Sequence, residues 1–588
     1  MSNRFSIWTA VSKAITSFRE SEYTVTTILA IAIGFLGGFG AIGFRLLIDS
    51  FQKILYGSSS GLLETVTSIP WYWRILIPAI GGSVVGPLIF FFAREAKGHG
   101  VPEVMEAVTI RSGLIRKRLV IIKSLASAIS IGSGGSVGRE GPIVQIGSAI
   151  GSAFGQMLKV SGNRMRNLVG CGAAAGIAAT FNAPIAGAIF ALEVILGEFG
   201  IGTFGPIVLS SVTATVISRI FLGNYPAFDI PKYNLVSTWE IPAYLVMGVL
   251  GGLVALLFTK LLYKTEDLWD DLKIPEYLKP ALGGAAIGAI ALLFPQILGV
   301  GYEAITLALL GRISWYLLLV LVFVKIAATS LTIGSGGSGG VFAPSLFIGA
   351  MMGGIYGHVV HHLFPSFTAT SGAYSLVGMG AIVAGTTHAP ITAILILFEL
   401  TDDYRIIVPL MMTCIISALT ARQLQAESIY TMKLVRRGID VRAGKEVTIL
   451  KSLLVRNFMV RNVVSISENL SLSDLLILIK ESAYSYFPVV NGKEELVGII
   501  SLQDIRPVLL EETLMDLVIA KDVMSEVVIT INSDQNLYEA MGKFESKDID
   551  QIPVVDKHNP RKVMGMLKRT DVIRAYQNAL LEKGLQRG

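Results

Sequence analysis

The sequence of 588 residues is 52% hydrophobic with a mean hydropathy of +0.62; that is more apolar surface than a soluble interior needs, and it excludes a wholly soluble chain. Charge is uneven: residues 441–588 hold 39 of the 49 basic and 43 acidic residues taken together, and the formal net charge of +6 divides into +7 before residue 441 and −1 after it. No dense Lys/Arg run with interleaved aromatics argues for nucleic acid, and two cysteines, Cys171 and Cys414, both in apolar segments, supply neither a disulfide framework nor a four-ligand metal site.

Residues 1–23 form an amphipathic lead-in with Arg4, Lys13, Arg19 and Glu20, expected in the cytosol, and no short apolar run ending in a small-residue cleavage site precedes the first long apolar stretch, near 24–48. Further apolar stretches follow near 75–93, 119–131, 143–158, 167–196, 204–221, 241–263, 280–295, 314–333, 341–362, 375–399 and 406–421. Several fall short of the ~20 residues that a full span requires. Proline and glycine, the latter 61 in all, interrupt many of them, so broken and re-entrant helices buried among neighbours are expected. The basic loop Arg111, Arg116, Lys117 and Arg118 assigns that connection to the cytoplasmic side.

The chain repeats itself within this region. Ile131-Gly-Ser-Gly-Gly-Ser-Val-Gly-Arg-Glu-Gly-Pro142 returns 202 residues later as Ile333-Gly-Ser-Gly-Gly-Ser-Gly-Gly-Val-Phe-Ala-Pro344, identical at eight of twelve positions. Gly98-His-Gly-Val-Pro-Glu103 has a weaker echo in Gly299-Val-Gly-Tyr-Glu303, and Asn182-Ala-Pro-Ile ending in Leu192-Glu193 is echoed by His388-Ala-Pro-Ile ending in Phe398-Glu399. A helical transport domain over 24–440, with repeat halves of about 24–222 and 240–425, is therefore expected, its substrate at the repeat interface. An inverted relation is favoured, although short helices leave the span count open.

After residue 440 the pattern turns to soluble α/β: Tyr486-Phe-Pro-Val-Val490 and Leu496-Val-Gly-Ile-Ile500 alternate with amphipathic helical stretches, and Gln551-Ile-Pro-Val-Val555 with Val563-Met-Gly-Met-Leu567 repeats the pair some 65 residues on. Two modules, about 455–512 and 518–582, make up a charged C-terminal domain over 441–588, expected on the cytoplasmic side.

Each prominent membrane motif is a Gly-rich stretch that meets proline and then an apolar helix: residues 98–102, 138–142 and 340–344. Proline suits a first helical turn, and glycine lets the backbone approach an ion closely. Unpaired N–H groups at the positive end of the helix dipole then make an anion site without a full buried positive charge. Glu140 stands at such a terminus between Arg139 and Gly141, where its carboxylate could occupy the place of a permeant anion. An intramembrane acid is costly and so a functional candidate; a salt bridge with Arg139 or an interfacial cap is the plainer alternative.

In this order, Gly98-x-Gly-x-Pro102, Gly138-Arg-Glu-Gly-Pro142, Gly340-Val-Phe-Ala-Pro344 and the late Tyr430 resemble the signature set of the CLC family of chloride channels and exchangers. The resemblance covers nearly all of the first 440 residues. It implies a homodimer with one anion pathway per subunit, gated by Glu140. It further implies that the backbone amides of Val341 and Phe342, with those near Arg139 and Glu140, coordinate the anion, while Tyr430 donates its hydroxyl; Tyr430 as an interfacial aromatic is the alternative.

Two positions depart from the family pattern. His99 stands where chloride-selective members carry serine, so either its N–H meets the anion and makes transport pH-dependent, or it turns aside; chloride remains the expected anion, with nitrate, bicarbonate or another small anion as alternatives. Val194 follows Glu193 where many exchangers carry a second glutamate as internal proton acceptor, which leans the reading toward a passive gated channel, with a proton-coupled exchanger as the alternative.

The C-terminal modules resemble a tandem CBS pair, which implies adenine nucleotide (ATP, ADP or AMP) in their cleft, although modules that only stabilise the dimer fit equally. Ser501-Leu-Gln-Asp504 matches the hydroxyl-x-x-Asp pattern, whereas Lys568-Arg-Thr570-Asp571 carries lysine at the hydroxyl position, so one competent site is expected over two. No cofactor is required for transport.

Other classes are weaker. Gly134-Gly-Ser136-Val-Gly138 and Gly336-Gly-Ser338-Gly-Gly340 match the Gly-x-Ser-x-Gly pattern, with His99 or His388 as an imagined base, but the strand-to-helix elbow of a hydrolase is missing. A CBS-regulated cation transporter would need inward carboxylates, and the membrane part offers few beyond Glu140, Glu193 and Glu399, of which the last two are expected to be hydrogen-bonded structural acids.

Overall fold

The computed structural model describes residues 22–58, 61–160, 162–224, 228, 233, 235–401, 404–439, 447, 449–451, 453–482, 485–506, 508 and 517–585. The lead-in with Arg4, Lys13, Arg19 and Glu20 lies outside the described residues. The chain divides into two compact units, Met1–Leu434 and Val435–Gly588.

The first unit is helical. Its first half comprises α1 (Glu22–Tyr56), α2 (Leu62–Ser68), α3 (Trp71–Phe92), α4 (Val101–Thr109), α5 (Leu119–Gly132), α6 (Glu140–Met157), α7 (Gly162–Phe181), α8 (Pro184–Phe190, continued by a π-helical turn Ala191–Leu196) and α9 (Ile201–Leu222). The second comprises α10 (Ile241–Asp271), α11 (Lys279–Ala291), α12 (Tyr302–Leu309), α13 (Trp315–Gly334), α14 (Phe342–Leu363), α15 (Ser371–Thr387), α16 (Pro390–Thr401), α17 (Ile407–Leu424) and α18 (Thr431–Arg436). From α3 and α11 onward the two halves run through the same helix order, as the repeated motifs require. Seven helices among the described residues are long and apolar enough to cross a membrane; α4, α8 and α12 are too short to span, as expected of half-helices buried between neighbours.

Hydropathy alone misplaces two elements. The stretches 167–196 and 375–399 are each continuous in apolar character, yet each is broken in the middle. Asn182 and His388 turn the backbone left-handed, with φ of 58° and 57°, and the Ala-Pro that follows opens α8 and α16, where proline needs no N–H partner.

The two copies meet about a local two-fold. Gly138 donates its N–H to the Gly340 carbonyl at 2.8 Å and Gly340 returns the bond to the Gly138 carbonyl at 2.6 Å, an antiparallel reciprocal pair between equivalent residues. The same symmetry places Glu193 and Glu399. Glu193 accepts the N–H groups of Ile391 and Thr392 at the start of α16, at 3.3 and 2.7 Å, and Glu399 accepts those of Ile185 and Ala186 at the start of α8, at 3.0 and 2.7 Å. Each acid therefore caps the half-helix of the other repeat, satisfying N–H groups that lipid would leave orphaned. Cys171 and Cys414 are free and buried in the packing.

The second unit carries two three-stranded sheets of one topology. In the first, β1 (Ile466–Ser467) runs parallel to β2 (Tyr486–Val490), which pairs antiparallel with β3 (Leu496–Ser501); in the second, β4 (Ile531–Asn532), β5 (Gln551–Val555) and β6 (Val563–Lys568) repeat that order. The irregularity at Val489/Val490 recurs at Val554/Val555, and each sheet buries its own apolar core, around Phe487 and Ile500 in one and Ile552 and Leu567 in the other. The helices α19 (Leu472–Glu481) and α22 (Leu537–Lys547), both amphipathic, with α20 (Leu502–Ile505), α21 (Ala520–Val523) and α23 (Arg569–Leu585), complete the two modules.

Candidate functional site

Three Gly-rich loops converge at the repeat interface. Gly98 donates to the Gly337 carbonyl at 3.0 Å and accepts from the Gly339 N–H at 3.3 Å, while the Gly138–Gly340 pair joins the other two loops. Gly100 caps α4 with φ of 84°, a conformation that glycine adopts without strain, and Pro102 sits in the first turn. Pro142 and Pro344 hold the third positions of α6 and α14. Where a Cβ on Gly141 would stand, the His99 carbonyl oxygen lies 2.0 Å away, and a Cβ on Gly138 would meet Glu140 Oε2 at the same distance.

Glu140, 1% exposed, is the first residue of α6 and reaches across to the opposite repeat. Its Oε2 accepts the Ala343 N–H at 3.3 Å, at the N-terminus of α14. Its Oε1 accepts the Tyr302 hydroxyl at 3.1 Å. Val341 and Phe342 lead the same helix terminus, both buried, but the amide that the carboxylate takes is the next one along. Arg139 does not pair with Glu140; its guanidinium lies over the Tyr302 ring, 5.3 Å from the centroid. Beside it, Arg45, Asp49, Gln52, Arg139, Gln296, Tyr302 and Glu303 line a cavity of about 190 Å³. The carboxylate thus has a helix terminus on one side and a hydroxyl donor on the other, both of which favour negative charge.

His99 and Tyr430 are buried against each other, ring centroids 5.9 Å apart. The turn before Tyr430 is pinned by the Ile429 N–H to the Thr386 carbonyl and by the Tyr263 hydroxyl to the Ile429 carbonyl, at 2.9 and 2.7 Å. Three residues on, Lys433 pairs with Glu103 at 3.2 Å, each 9% exposed.

Several residues of this site escaped sequence reasoning. Tyr302 is one; the alignment of Gly299-Val-Gly-Tyr302 with Gly98-His-Gly-Val101 already placed it at a motif, but nothing in the sequence aims it at Glu140. Lys123 and Lys325 are the others. Lys123 Nζ donates to the carbonyls of Ala96 and Gly98 at 3.0 and 2.8 Å, and Lys325 Nζ to those of Ile297 and Gly299 at 2.9 and 3.2 Å. Both are fully buried, where an ammonium without carbonyl partners would cost several kcal/mol. Their spacing of 202 residues, equal to that of the long motif, was a signal available in the sequence. Ser136 and Ser338 behave in the same paired way, giving their hydroxyls to the carbonyls of Ile297 and Ala96 at 2.8 and 2.9 Å. Val194 lies in the π-helical turn after α8, 7% exposed, and α4 packs on that turn.

In the second unit, Ser501 caps α20: its N–H and hydroxyl both donate to Asp504 Oδ2 at 2.7 Å, and the Ser525 hydroxyl reaches Oδ1 at 3.4 Å. Asp571, the counterpart beside Thr570, pairs instead with Arg574 at 3.9 Å.

Residues 81–422 match the family model described as voltage gated chloride channel, and residues 455–511 and 520–578 each match that of the CBS domain. Among similar proteins, a putative ClcB-like chloride channel protein of Ralstonia nicotianae is 38% identical, over 70% of this chain and 98% of that one. The H+/Cl− exchange transporter ClcA of Salmonella arizonae is 30% identical, over 71% and 90%. Among solved structures, that of a slow cyanobacterial Cl−/H+ antiporter matches with a TM-score of 0.65 at 29% identity, covering 70% of this chain and 97% of that one.

Proposed function

The chain belongs to the voltage-gated chloride channel (CLC) family, and from that premise we propose that it exchanges chloride for protons across a membrane, with Glu140 gating the anion path and carrying the proton. The observation that carries this reading is the Glu140 carboxylate lodged at the N-terminus of α14, 3.3 Å from the Ala343 N–H. While it stays there an anion is excluded. Once protonated, it loses its attraction to the helix terminus and the Tyr302 hydroxyl, swings aside, and leaves the amides to the anion. One group thereby alternates between holding a proton and blocking an anion, which is what obligatory exchange requires.

Likeness to proteins named as exchangers supports this reading over the passive channel that the sequence alone favoured. The channel keeps one observation on its side, the apolar Val194. Liposomes loaded with chloride, with the potential clamped near zero, distinguish the two. Exchange is expected to appear as uphill proton movement accompanying chloride efflux; efflux with internal pH unmoved would establish the channel. Repeating the measurement with nitrate ranks the anions that His99 admits. The working form under this proposal is a homodimer with one pathway per subunit and both termini cytoplasmic; light scattering of the purified protein near one chain mass of 63.1 kDa, and not twice that, would refute it.

The proposal extends to the CBS pair, with an adenine nucleotide bound at Ser501 and Asp504. Among the described residues Asp504 Oδ1 has the one long Ser525 contact, and a carboxylate oxygen accepts more than one donor. In the full-length protein, ATP, ADP or AMP is expected to raise the thermal midpoint, and Asp504→Asn to remove that shift while Asp571→Asn leaves it. No shift with any of the three nucleotides would end this part of the proposal.

A further inference from the structure

Exchange needs a group that takes up protons on the cytoplasmic side, and Val194 cannot do so. We propose that Glu103, ion-paired with Lys433 next to the His99–Tyr430 contact, is the internal proton-loading site of this chain; the inference rests on the exchange reading above.

Glu103 is an acid in the first turn of α4, immediately after the loop that carries His99. Its carboxylate meets Lys433 Nζ at 3.2 Å, and that ammonium would lie 2.8 Å from a Cβ on Gly98, so the pair abuts the backbone of the anion motif. Lys123 approaches from α5, held on the Gly98 carbonyl. On α4 itself Glu106 is occupied by Arg111. An acid paired with a buried ammonium, 9% exposed in its side chain, with a second ammonium held on the neighbouring Gly98 carbonyl, is an expensive arrangement for packing alone.

Its position suits proton entry. α4 runs from Glu103 for about 9 Å to its end at Thr109, toward Arg111 and the basic loop assigned to the cytoplasm. The same short helix packs on the π-helical turn of Val194, so the acid lost at 194 and the acid present at 103 serve adjoining elements. Beyond Glu103 stands His99, whose ring is 5.9 Å from that of Tyr430.

In the cycle a hydronium in cytosolic water gives one proton to the Glu103 carboxylate, which opens the pair with Lys433. The proton passes to one ring nitrogen of His99 while the other releases its own toward water at the anion site and so to Glu140. Glu103 returns to its ionised, paired form; one proton has moved and no electron has.

The test uses the full-length protein in the chloride-loaded liposomes, and its readout is the number of protons moved per anion, which a merely structural role leaves unchanged. Glu103→Gln is expected to lower that ratio by about a hundredfold, the low end for losing a positioned proton carrier. Adding Val194→Glu to it is expected to restore coupling, because an acid returns to the adjoining element. A Glu103→Gln protein with the wild-type ratio, or a double variant that stays uncoupled, overturns the proposal. Should Glu103→Gln fail to fold, Lys433→Met decides. Freed of its ammonium, Glu103 is expected to load at higher pH, so the internal pH of half-maximal coupling is expected to rise; an unmoved profile overturns the proposal. A wild-type protein that moves no protons sinks the exchange reading and this inference together, whereas a coupled wild type with a coupled Glu103→Gln sinks this inference alone.

Discussion

Replacing Glu140 by alanine is expected to abolish proton movement, a loss of about a hundredfold or more, while chloride efflux continues and ceases to depend on external pH. Among the described residues Glu140 is the one carboxylate bonded at the N-terminus of α14, so its removal leaves that amide terminus open to anions at every pH. Glutamine should behave differently. Its single amide oxygen can still accept from one of the two donors, the Tyr302 hydroxyl or the Ala343 N–H, which Glu140 meets with separate oxygens, so Glu140→Gln is expected to slow efflux as well as uncouple it. Tyr302→Phe gives the intermediate case. It removes one hydrogen bond to a charged group, about 1.5 kcal/mol at the low end, and so should raise the fraction of time the carboxylate stands aside by about tenfold. Reconstituted efflux over a range of external pH measures all three. An alanine variant that still drives protons uphill would place the proton carrier elsewhere.

Parts of this arrangement were legible in the sequence and parts were not, for a consistent physical reason. The duplicated Ile131–Pro142 and Ile333–Pro344 motifs, the broken helices and the paired strand patterns after residue 460 follow from local rules: glycine and proline punctuate helices, and β-branched runs make strands. Glu140 stood out because an acid inside an apolar segment is expensive. Contacts across the repeats obey no such local rule. Tyr302 lies 162 residues from Glu140, and a tyrosine before an apolar half-helix looks the same whether it faces lipid, cavity or gate. Glu193 and Glu399 were readable as hydrogen-bonded acids, but that each caps the helix of the opposite half emerges only once the two copies are folded together. The break inside 167–196 was in fact written in the sequence as Asn182-Ala-Pro184, and hydropathy averaged over it. Lys123 and Lys325 mark a different failing. Their spacing matched the repeat, and a search for duplicated ions would have found them.

Convergence of the three loops also makes the site brittle, and Gly141→Ala is expected to break it. A Cβ at Gly141 would stand 2.0 Å from the His99 carbonyl oxygen and 3.0 Å from the Gly340 Cα. Both obstacles are backbone, so no side-chain rotation relieves the clash; the loop of His99 must move off α6, or α6 off Gly340. Overpacking of this kind costs about 1–3 kcal/mol in stability. The larger effect falls on transport, since the same shift displaces the Glu140 carboxylate and the α14 terminus from each other, and misplacing reacting groups by an ångström is worth about a hundredfold in rate. Gly43→Ala is the control: nothing lies within 4 Å of its Cβ position on α1, so its stability should not fall and gains up to about 1 kcal/mol from replacing a glycine inside a helix. Thermal midpoints in detergent and efflux rates in liposomes test the pair. If Gly141→Ala transported at the parent rate, the loops would have slack, and the three motifs would owe their glycines to folding and not to holding one carboxylate against one helix end.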